Sequence, residues 1–140
     1  MSRPAGSSET TLMTLWRSCV LAEWGERCAF KGLIDTAGEG YGECRGKVEC
    51  HHVKRRGIAP LRYSPSNGVP LCQEHHKKIG LRYYRKAIEE LLGPDKMEWL
   101  DSLERKLMPD YLRELGLTKW EWLKQQKDYL TSLRASYLRK

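Results

Sequence analysis

ECHHVKRRGIAPLRYSPSNGVPLCQEHHKK, residues 49–78, holds all four histidines of the chain, two of its five cysteines and a turn-rich loop between two apolar runs. Lys47 to Val53 can form a strand and Gly68 to Cys72 a second. The intervening KRRGIAPLRYSPSN is rich in Pro, Gly and Ser and is expected to be a loop. After Cys72 the pattern turns helical through His75 and His76. Strand, loop, strand and ligand-bearing helix make a ββα order.

Working outward, apolar residues Leu12, Leu15, Trp16, Cys19 and Val20 recur at helical spacing between Glu9 and Trp24, and Gly25 supplies a stop. Residues 1–8 are small and polar and read as a disordered lead-in. Residues 29–46 are glycine-rich and suit a knuckle loop. Beyond the ββα stretch, Leu81, Tyr84, Ile88 and Leu91 form one stripe ended by Gly93 and Pro94. Met97, Leu100, Leu103 and Leu107 form another, closed by Met108 and Pro109. Asp110 to Leu115 is a short helical turn. Thr118 with Glu121 is a capping-box pair opening a last helix that runs nearly to Lys140. The predicted fold is α+β and mostly helical: a module over residues 9–80, then a helical extension over 81–140 that packs on it. A helix-turn-helix over Asp110 to Tyr129 is the weaker alternative for part of that extension.

Length and charge narrow the function. The 140 residues exclude two large domains. No apolar run approaches the roughly 18 residues of a membrane span, and MSRPAGSSET lacks the apolar stretch of a secretory signal, so a cytoplasmic setting is expected. In that reducing compartment the cysteines serve metal binding, catalysis or packing, and Cys19, on the apolar face of the first helix, is core. The net charge is +7, but residues 45–86 carry eleven basic against two acidic side chains while the rest is neutral or slightly acidic. Positive charge gathered around metal-type ligands points to a polyanion, nucleic acid above all.

Metal-assisted phosphodiester hydrolysis requires ligands for a divalent cation, a neutral imidazole to deprotonate water, a group that holds that imidazole, and cations for the phosphates. His51 and His52 are adjacent at a strand end, where successive side chains point to opposite sides. Asn67 begins the second strand and can orient an imidazole. His76 can return a ring nitrogen to the cation held by His51. Lys54, Arg55, Arg56 and Arg62 lie in the connecting loop.

These residues resemble the HNH, or ββα-metal, endonuclease motif, with His52, Asn67 and His76 in its three positions: Asn67 follows His52 by fifteen residues and His76 follows Asn67 by nine. The resemblance implies that His52 is the general base, Asn67 its orienter, and His51 and His76 the ligands of a catalytic Mg²⁺, Mn²⁺, Ni²⁺ or Zn²⁺, as in colicin-type nucleases where a histidine precedes the base. Lys54, Arg55, Arg56 and Arg62 would hold DNA. Many HNH domains also carry a structural zinc on two CxxC knuckles. Here the similar set is Cys28, Cys44, Cys72 and His75, with the two-residue gap between Cys72 and His75 suited to chelation. The 28/44 gap is wide, and Cys50 competes as a ligand. From IGLRYYRKAIEELLGPDKMEWLDSLER onward the tail is similar in outline to NinG-type recombination nucleases of lambdoid phages, which tend to carry Asn where this chain has His76. A zinc-stabilised DNA-binding module without turnover is the alternative.

Overall fold

The computed structural model describes residues 9–139, so the expected lead-in over residues 1–8 lies outside the described residues. Helix α1 spans Glu9–Trp24 and exits through Gly25 in the left-handed region. A knuckle loop of turns follows. Strands β1, Val48–His52, and β2, Gly68–Cys72, then pair antiparallel, with His51 opposite Val69 and His52 opposite Gly68. Helix α2 is Gln73–Lys78 and α3 is Arg82–Leu92; α4 is Pro94–Glu104, α5 is Met108–Leu115 and α6 is Lys119–Leu138. The architecture is α+β and mostly helical, with the ββα order in place. None of the described helices is long and apolar enough to cross a membrane.

Strand β2 is buried at all five positions because both of its faces are covered. Helix α1 covers one: Leu12, Met13, Trp16, Cys19 and Val20 pack with Tyr63 and with Trp122, Leu123 and Leu130, the last three from α6. The other face joins Val69, Leu71 and Cys72 to Cys28, Phe30 and Tyr41 of the knuckle and to Ala87 and Ile88 of α3. A third cluster sets Leu100 and Leu103 of α4 against Leu61 of the loop. Near-continuous apolar character in GVPLC therefore reflects a doubly covered strand. Helix α1 lies so close to β2 that a Cβ on Gly68 would sit 2.5 Å from Val20 Cγ2 and 2.7 Å from Trp16 Cζ2.

Several expectations about the tail change. Met108 and Pro109 do not close α4; they begin α5, because proline is tolerated in a first turn, where its missing N–H has no partner to lose. Helix α4 already ends at Glu104, and Leu107 is 68% exposed, outside the stripe expected for it. Leu81 is likewise exposed, just ahead of α3. The capping box forms, with Glu121 N–H donating to Thr118 Oγ1 at 3.2 Å and Thr118 N–H to Glu121 Oε1 at 2.9 Å. Helix α6 buries Trp122, Leu123 and Leu130 on α1.

The loop between the strands is pinned from inside by Asn67, which is fully buried. Its Oδ1 accepts from the Lys54 backbone N–H at 2.6 Å, and its Nδ2 donates to the carbonyls of Lys54, at 2.9 Å, and Leu61, at 3.3 Å. Asn67→Ala leaves these backbone groups without a partner, at about 1–3 kcal/mol each where they stay dry. Thermal unfolding of that variant is expected to show Tm lowered by about 10 °C. An unchanged Tm would mean that the loop is held by other contacts.

Candidate metal centre and histidine pair

Four donors meet at the far end of the hairpin. Cys28 follows α1, Cys44 closes the knuckle loop, Cys72 ends β2, and His75 lies one turn into α2. His75 Nδ1 is 3.5 Å from Cys28 Sγ, 3.7 Å from Cys44 Sγ and 3.1 Å from Cys72 Sγ, and all four donor atoms lie within 4.8 Å of one another. A tetrahedral ion bound by thiolates at about 2.3 Å and an imidazole at about 2.0 Å places sulfur and nitrogen about 3.6 Å apart, so this Cys₃His set fits a metal ion. The outer contacts agree. His75 is fully buried and its Nε2–H donates to the Tyr41 carbonyl at 2.9 Å, which selects the tautomer with Nδ1 bare toward the sulfurs.

The thiols respond to their crowding. Burial, with Cys28 next to it, pushes Cys44 up to about 12. Burial also raises Cys72, but N–H groups of His75 and Arg45 outweigh it and bring this thiol down to about 7. Cys50 is not part of the cluster: it lies on the α1 side of β1, its S–H toward the Arg17 carbonyl at 3.7 Å. This settles the competition between Cys50 and the others on geometry.

The two sides of β1 separate the remaining candidates. Glu49 and His51 point one way and meet α2. The His51 and His76 rings stand edge to face with centroids 5.2 Å apart, and His76 Nδ1 is 2.9 Å from Glu49 Oε1. Burial, and then the neighbouring His76 and His52, hold His51 down at about 4, so its ring is neutral at physiological pH. A cleft of about 570 Å³ opens beside Glu49, Gln73, His76 and Lys77. A second, of about 420 Å³, sets His51 among Lys54, Arg55, Arg85, Glu89 and Glu104 over apolar Val53, Ile79, Ile88 and Met97.

His52 points the other way. Its ring lies flat on Trp16, with centroids 3.9 Å apart and planes 7° from parallel, and its Nε2 is 3.0 Å from the Arg62 carbonyl. Burial lowers its pKa despite that carbonyl, and Arg56, Arg62 and Arg17 lower it further. The expectation that Asn67 orients the His52 ring is therefore corrected. The amide is spent on the backbone of Lys54 and Leu61, while the Arg62 carbonyl and Trp16 hold the imidazole. Strand alternation predicts the split between His51 and His52, and the structure sets the His52 ring on Trp16 and the His51 ring against His76. Glu49 was missed, although its i, i+2 relation to His51 on a strand was a usable signal.

Two loop cations are also committed elsewhere. Lys54 Nζ pairs with Asp101 Oδ1 at 2.5 Å and Glu104 Oε1 at 3.1 Å, both from α4. Arg62 pairs with Glu9 at 2.9 Å and donates to the Arg56 carbonyl. These pairs offset the charge of Lys54, which lines the His51 cleft beside Glu104, and of Arg62. Arg55 and Arg56 are exposed.

Purified protein is expected to hold one equivalent of metal that Cys72→Ser and His75→Ala remove and Cys50→Ser leaves in place, read by elemental analysis alongside thermal unfolding. Loss of the metal in Cys50→Ser with retention in Cys72→Ser would contradict the cluster. Compared with models of protein families, with curated proteins and with solved structures, the chain matches none at a significant level.

Proposed function

We propose that the protein is a metal-dependent endonuclease of the HNH kind that hydrolyses DNA phosphodiester bonds, its ββα module braced by zinc on Cys28, Cys44, Cys72 and His75. The observation that carries this reading is the meeting of His51 and His76, 5.2 Å between ring centroids, beside two open clefts edged by Lys77, Arg55 and Arg85. Two imidazoles and a carboxylate gathered at a cationic surface are poor packing material and a useful set for holding a divalent ion against phosphate. Three thiolates with one imidazole suit zinc at the other centre.

In this proposal His51 and His76 hold the catalytic ion, and Glu49 fixes His76 so that Nε2 is its free nitrogen. When bound, the ion supplies positive charge to the phosphate oxygens. Two imidazoles favour Mn²⁺, Ni²⁺ or Zn²⁺ over Mg²⁺ for tight binding. His52, adjacent at the end of β1, donates Nε2–H to the Arg62 carbonyl and keeps Nδ1 as a proton acceptor. Its lowered pKa keeps it in the neutral form that a base requires. In this role it takes the proton of the attacking water. The resemblance of the tail to phage recombination nucleases supports a place in phage or prophage DNA processing.

A second reading, a zinc-braced DNA-binding module without turnover, is favoured by one observation: the His52 ring is packed on Trp16, on the side of β1 away from the His51 and His76 pair. Plasmid nicking across Mg²⁺, Mn²⁺, Ni²⁺ and Zn²⁺ separates the two. Wild type is expected to cut, and His51→Ala, His76→Ala and His52→Ala to lose about 100-fold or more in rate while keeping the structural metal. Wild type that binds DNA and cuts with none of these ions establishes the binding module instead.

A further inference from the structure

We infer that the basic edge of α3, formed by Arg82, Arg85 and Lys86, acts with Arg55 as the surface that holds the DNA backbone. The inference rests on the nuclease reading for the place of the reacting phosphate, but the binding itself does not depend on cleavage.

Two of the four cations in the motif's own loop are engaged. Lys54, its side chain only 15% exposed, is neutralised by Asp101 and Glu104, and Arg62 is neutralised by Glu9. Arg55, Arg82, Arg85 and Lys86 are exposed, and none has an ion-pair partner among the described residues. Between Lys77 and Lys86 the chain carries five cations and no acid; Glu89 and Glu90 follow further along α3.

Arg85 joins the clefts. It shares one wall with His51 and Arg55, and on its other side it lines a groove of about 280 Å³ with Arg82, Lys86 and Glu89. Lys77 borders the cleft of His76 and Glu49. The surface therefore runs from Lys77, past the two histidines, to Arg55 and Arg85, and on to Arg82 and Lys86. Two acids interrupt it: Glu89 lines both the His51 cleft and the far groove, and Glu104, paired with Lys54, lines the cleft. Cations following one another beside the histidine pair suit a polyanion, and a DNA backbone is the partner that also presents a phosphodiester to His51 and His76.

The stability of α3 does not account for these side chains. No acid occupies its first turn, and cations there oppose the helix dipole. The buried face of the helix is made by Ala87 and Ile88, so the basic residues are not needed for packing either.

The test is binding of a short fluorescein-labelled DNA duplex, followed by anisotropy without added divalent ion at several salt concentrations. Two triple variants remove the same charge: R82A/R85A/K86A on α3 and R105A/K119A/R139A elsewhere on the tail. The α3 triple is expected to weaken binding about 10-fold or more and to shrink the slope of log K against log salt by about 2 to 3, while the other triple changes affinity far less. Equal losses from the two triples, an α3 triple that binds like wild type, or a wild type that does not bind would overturn the inference. His51→Ala run in parallel keeps the questions apart. If that variant still nicks plasmid at the wild-type rate the nuclease assignment falls, and the affinity comparison decides the role of α3 regardless.

Discussion

The closeness of three sulfurs to the Nδ1 of His75 is the constraint on which the ββα module depends. A hairpin of two five-residue strands is marginal by itself in water, and the knuckle loop has little regular structure to hold it. The cluster gathers one donor after α1, one from the end of the knuckle, one from the end of β2 and one from α2, so it fixes where α2 begins relative to the hairpin. With His75 turned inward, His76 is carried about 100° around the helix toward Glu49 and His51. Shifting α2 by a single residue would turn His76 inward in place of His75 and set Lys77 where His76 meets Glu49 and His51.

A second set of contacts fixes the other end of the hairpin. Trp16 of α1 stacks on His52 and donates its indole N–H to the Ser64 carbonyl at 2.7 Å, while Asn67 closes the loop from within. Gly68 permits this by leaving room for the Trp16 and Val20 side chains. The two sides of β1 are consequently different environments: one open, with Lys77, Arg55 and Arg85 among Glu49, Glu89 and Glu104, the other packed on α1. In the proposed chemistry the open side holds the ion, while His52, the proposed base, lies on the packed side against Trp16.

Much of this arrangement could be read from residue types and spacing. The ββα order follows from where apolar runs, turn residues and helical pattern succeed one another, and the Cys72 and His75 pair from its i, i+3 relation. The wide gap between Cys28 and Cys44 looked awkward, but a glycine-rich loop with several residues in the left-handed region folds back and closes it. What escaped the sequence were contacts between segments distant along the chain. Asn67 has the spacing of an orienting residue, but nothing local tells which groups its amide meets. Lys54 sits in a basic run, and only the docking of α4 shows that Asp101 and Glu104 neutralise it. Proline at 109 marks a boundary in either direction; which helix it belongs to is decided by the packing of the tail.

X-ray absorption at the zinc edge of the purified protein tests the central claim most directly. The account predicts a shell of three sulfurs at about 2.3 Å and one nitrogen at about 2.0 Å. A shell of oxygen and nitrogen alone, or no bound metal, would contradict it and remove the brace on which the histidine pair and its surrounding clefts depend.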